Sequence, residues 1–71
     1  MIKDPYELQR KVQSLVASGQ TDQAVDLLEK TVKENPLFME AWMLLGEVYR
    51  AIGELKLAIE VCEESLEHTP I

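Results

Sequence analysis

Seventy-one residues make one small domain, too short for a large core and marginal in stability unless its packing is regular or it associates. No apolar run approaches the roughly 20 residues that span a bilayer, and no long apolar region follows Met1-Ile2-Lys3-Asp4 as a signal peptide requires. A net charge of −6 argues against the basic face that nucleic acid demands, and the single Cys62 excludes an internal disulfide and a cysteine-based metal site. These features lead to the expectation of a soluble, cytoplasmic protein that needs no cofactor and contacts neither nucleic acid nor membrane. The acidity is uneven. Residues 1–36 hold five Lys/Arg and six Asp/Glu, whereas residues 37–71 hold two Lys/Arg and seven Glu.

Asp4-Pro5-Tyr6-Glu7 reads as a helix start, with Asp4 as N-cap, Pro5 in the first helical position and Glu7 completing a capping box. Leu8, Val12, Leu15 and Val16 follow at helical spacing, and Gly19 ends the helix. Thr21 is the expected cap of a second helix whose apolar face is Ala24, Val25, Leu27, Leu28 and Val32. Asp26 with Lys30 and Glu29 with Lys33 form favourable i,i+4 pairs along it. Asn35-Pro36 is expected to stop that helix and cap the third, which runs to about Ile52. Trp42, Leu45 and Tyr49 share one face of the third helix. Gly46 lies inside it and implies the close approach of another helix backbone, because glycine there costs about 1 kcal/mol against alanine. Gly53 stops the third helix, and a fourth runs from Glu54 or Leu55 to just before Thr69-Pro70. No segment alternates with period two. The prediction is an all-α chain of four antiparallel helices joined by short turns.

The two halves repeat at an offset of 34 residues, the separation of Gly19 from Gly53. Ala17/Ala51, Ala24/Ala58, Glu29/Glu63 and Pro36/Pro70 are identical at the same offset, and Val25/Ile59, Thr31/Ser65 and Val32/Leu66 are similar. Helix–turn–helix units of this period stack as a solenoid. Here the chain resembles the tetratricopeptide repeat (TPR) family. The second unit, residues 39–71, carries Trp42, Leu45, Gly46, Tyr49, Ala58 and Pro70 where the family's signature places them. The first unit, residues 5–38, keeps Gly19, Ala24 and Pro36, but has Leu8, Lys11, Val12 and Leu15 opposite Trp42, Leu45, Gly46 and Tyr49. The resemblance implies one domain over residues 1–71, an α-solenoid of two units, and a role as a protein–protein interaction module.

The resemblance also implies a peptide groove on the first helix of each unit, with Gln9, Gln13, Met43, Glu47 and Arg50 as the candidates. Chaperone-binding members grip a carboxylate with Lys and Asn on that face. Gln9 and Gln13 stand there instead, with Arg50 the only cation of the second unit's face, so a basic or neutral peptide suits the groove better. The alternative is that these are ordinary solvated helix residues. Glu64 and His68 read as an exposed pair rather than a metal site, and Cys62 as a small core residue beside Ile59 and Leu66. Glu60, Glu63, Glu64 and Glu67 form a one-sided acidic row, either a solubilising face or one that receives a partner's cations. One His, no phosphate-binding loop and no nucleophile–base pair argue against an enzyme.

Solenoids of this family cover their last helix with a polar capping helix. The sequence stops at Pro70-Ile71 without one, which leads to the expectation of an uncovered fourth helix and a homo-oligomer. Phe38, Leu57, Val61 and Ile71 are the candidates for self-contact. Two fourth helices could pack together, units could stack head to tail with Lys3, Arg10 and Lys11 against the acidic row, or a helix pair could swap about residues 35–38. The sequence thus supports a small adaptor or assembly scaffold. The alternative is a structural self-assembling unit with no separate peptide ligand.

Overall fold

The computed structural model describes residues 3–68. Within them the chain is four helices: α1 (Pro5–Ala17), α2 (Thr21–Glu34), α3 (Met39–Ala51) and α4 (Leu55–His68). Their all-α, two-unit helical repeat is the architecture that the 34-residue period implied. α1 begins as its sequence dictates: Asp4 is extended, its Oδ1 accepts the Tyr6 amide at 2.9 Å, and Pro5 follows in the first turn.

Both hairpins turn by the same device. Gly19 and Gly53 have φ of +77° and +84°, the left-handed region that a Cβ disfavours. The amides of Gly19 and Gln20 bond back to the carbonyls of Val16 and Leu15, and those of Gly53 and Glu54 to Arg50 and Tyr49. Each pair of bonds satisfies carbonyls that the helix end would otherwise orphan.

α3 is the centre of the packing. It touches α1, α2 and α4, whereas α4 packs on α3 alone among the described helices. The buried set follows from this. Leu8 and Val12 come from α1, and Ala24, Leu28 and Val32 from α2. α3 supplies Ala41, Trp42, Leu44, Leu45, Val48 and Tyr49, and α4 only Ala58 and Val61. Leu8 and Leu28 are wholly enclosed, each stabilising the fold by about 1.5–3 kcal/mol.

Several expectations are corrected. Thr21 does not cap α2; it is the first helical residue, and Gln20 precedes it without a side-chain cap bond. Asn35-Pro36 does not start α3. Asn35 terminates α2, Pro36 and Leu37 form a turn closed by the Phe38 amide on the Asn35 carbonyl at 3.0 Å, and Phe38 precedes the helix. Trp42 fixes this turn by donating its indole N–H to the Pro36 carbonyl at 2.8 Å. Gly46 does not meet a neighbouring backbone. A Cβ there would sit 3.9 Å from Val61 Cγ1, an ordinary contact.

The offset of 34 residues also exposes an asymmetry of burial. Leu28 is enclosed but its counterpart Cys62 is exposed, so Cys62 is not a core residue. Val32 is 6% accessible and Leu66 70%. α3 covers α2 in the first unit, and no described helix covers α4 in the second.

Candidate functional site

Two open clefts flank α3. The first lies between α1 and α3, has a volume of about 480 Å³, and is rimmed by Gln9, Gln13 and Glu47. Its walls include Val12, Leu44 and Val48, which the core packing already holds, so the polar rim stands on a rigid apolar floor. The second lies between α3 and α4 and is larger, about 640 Å³. Met43 and Arg50 line it together with Leu55, Ile59, Cys62 and Leu66.

The five groove candidates therefore do not share one surface. Gln9 and Gln13 border the first cleft, Met43 and Arg50 the second, and Glu47 reaches both. The cause is helical geometry: Met43 and Arg50 are seven apart and lie on one stripe of α3, and Glu47 lies beside it toward α1.

The self-contact candidates are scattered as well. Val61 is buried against Gly46, so its side chain is used inside the fold. Phe38 is half-buried against the core. Leu57 is exposed on the opposite side of α4, facing a cleft it shares with α2. Ile71 lies outside the described residues. The exposed apolar row is instead Leu55, Ile59, Cys62 and Leu66. The repeat held the signal that finds it, because Cys62 and Leu66 stand opposite residues that need a covering helix.

The cleft between α2 and α4 carries the polar chemistry. Tyr49 donates its phenol proton to Glu29 Oε1 at 2.5 Å. Burial, then this hydrogen bond, then the negative charges of Glu29, Glu64 and Asp26 push the Tyr49 phenol up to about 12. It stays protonated at neutral pH and acts as a structural donor. His68 does not stand as a simple pair with Glu64; its ring stacks on Trp42, with centroids 5.8 Å apart and planes 19° from parallel. The acidic row is also divided, with Glu60 and Glu64 on this side and Glu63 on the α3–α4 cleft. Among the described residues no three His, Cys, Asp or Glu are grouped to hold a metal ion. Nor does any described helix have the length and apolarity to cross a membrane.

No solved structure matches the chain. Tetratricopeptide repeat protein 33 of Xenopus laevis is 35% identical over 65 residues, which are 92% of this chain and 24% of that protein. The chain thus spans about a quarter of the length of that curated relative. The family model described as "Tetratricopeptide repeat" matches residues 10–70, covering α2, α3 and α4 entire and most of α1. Two helical hairpins closed by glycines at one period, with Trp42 and Tyr49 buried between the units, agree with that match, and the chain belongs to the tetratricopeptide repeat family.

Proposed function

We propose that the chain is a protein-binding module, an adaptor or assembly scaffold without catalytic activity, that works in the cytoplasm. The observation that carries this reading is the α1–α3 groove. Its floor is apolar and held by the core, its rim is Gln9, Gln13 and Glu47, and it is open along one side. Such a surface receives an extended segment through side-chain amide hydrogen bonds at the rim and apolar contact at the floor. The Glu47 carboxylate selects a neutral or basic segment over an acidic one.

Amide resonances of the isotope-labelled chain, followed while short basic, neutral and acidic peptides are added, test this reading. Shifts confined to Gln9, Gln13 and Glu47 with the basic or neutral peptides support it. An unmoved groove with all three sinks it.

A second reading rests on the α4 row. The exposed Leu55, Ile59, Cys62 and Leu66 favour contact with another copy of the chain, so that the module also self-associates through its fourth helix. If the groove stays unmoved and association persists, the protein is a structural self-assembling unit.

A further inference from the structure

The exposed row on α4 has a spacing that specifies its partner. Leu55, Ile59, Cys62 and Leu66 are separated by four, three and four residues, the alternation of a coiled-coil seam. That order is the same read in either direction. A second α4 laid antiparallel therefore places Leu55 against Leu66 and Ile59 against Cys62, and the reciprocal pairs form at the same time, as a two-fold interface requires.

The charges beside the seam agree. Lys56 lies on the N-terminal half of the exposed edge of α4 and Glu63 on the C-terminal half, seven residues on. In the antiparallel arrangement each Lys56 meets the other copy's Glu63. In a parallel one they would face the opposite edge of the seam, with Ala58 and Ser65, and the two charges would go unanswered. Arg50, at the C-terminal end of α3, borders the same cleft near the start of α4, where the acidic end of the other copy's α4 arrives. Gly46 lines the same cleft without a side chain, beside the buried Val61 at the middle of the seam.

The same repeat disfavours head-to-tail stacking. α3 seats on the first unit through Ala41, Leu44 and Val48. The residues of α1 at the corresponding positions are Glu7, Arg10 and Ser14, all exposed and polar. Placed on the α4 row they would leave charges against an apolar surface.

We infer that the α3–α4 cleft is the seat of a second copy of this chain, paired about a two-fold with the α4 helices antiparallel. This deepens the reading that α4 self-associates and depends on it.

Sedimentation equilibrium of the full chain from about 5 to about 500 µM, a range that brackets a moderate dimer constant, is the test. The variants are Ile59→Glu, Lys56→Glu, Glu63→Lys and the double charge exchange. Ile59, Lys56 and Glu63 are all exposed, so circular dichroism should show unchanged helix content. The expected result is a monomer–dimer equilibrium that Ile59→Glu weakens at least about tenfold. Each single charge change should weaken it by about threefold to tenfold, and the double exchange should restore it. The Cys62 thiol should react more slowly with a disulfide reagent as the dimer fills. Open-ended association, or a dimer indifferent to the charge changes, overturns the antiparallel pairing while leaving self-association standing. A monomer across the whole range overturns both. The peptide titration is a separate readout, so the groove reading survives or fails independently.

Discussion

The Tyr49 hydroxyl and the Glu29 carboxylate, 2.5 Å apart, join α3 of the second unit to α2 of the first. The bond holds only while the phenol keeps its proton. The folded chain raises that pKa from 10.0 to about 12, so between these values the unfolded chain binds fewer protons than the folded one. The contribution is therefore complete below pH 10 and is lost as pH rises through 12. The rise from 10.0 to about 12 bounds it at about 2–3 kcal/mol. Urea midpoints should fall across this window for the wild type, and Tyr49→Phe should abolish that fall. Glu29→Gln should move the Tyr49 absorbance titration back toward 10.

Gly46→Ala should stabilise the fold. The helix gains about 0.5–1 kcal/mol in propensity, and the new methyl group meets only Val61, at ordinary distance. A rise in thermal midpoint checks this. A fall would mean that the close approach expected from the sequence exists after all.

The same substitution at Gly19 or Gly53 should act in the opposite direction. There is open space around both, so the cost is that of holding alanine at positive φ, about 1–2 kcal/mol. The three alanine variants, measured side by side in urea, separate backbone conformation from packing.

Trp42 is the only tryptophan, and it is bonded at one end and stacked at the other. Trp42→Phe should lose about 1–3 kcal/mol through the unpaired Pro36 carbonyl and the smaller ring. His68→Ala should leave the indole in place but uncover its face, shifting its fluorescence to longer wavelength. No shift would show that the His68 ring does not shield it.

The helices and their ends were legible where one residue type has one physical use. Gly19 and Gly53 announce positive φ, and Asp4-Pro5 announces a helix start. Pro36 has two uses, opening a helix or bending a turn, and only the distant Trp42 indole selects the turn. Thr21 likewise suits either a cap or a first helical position. The family was legible for the same reason, since its signature consists of packing residues. The site was less so. Periodicity names an apolar face but not the helix that covers it, and Ile59, Cys62 and Leu66 differ from Val25, Leu28 and Val32 chiefly in having no α3 upon them. The division of Gln9 and Gln13 from Met43 and Arg50 depended on which stripe of α3 faces α1 and which faces α4.

Because α3 is a shared wall, Glu47 borders both clefts. Any change at that position is felt on two surfaces at once. The α1–α3 groove cannot be retuned through Glu47 without altering the face that α4 shares, whereas Gln9 and Gln13 on one side and Met43 and Arg50 on the other can vary independently. In a chain this small, two separate surfaces are coupled through a single carboxylate.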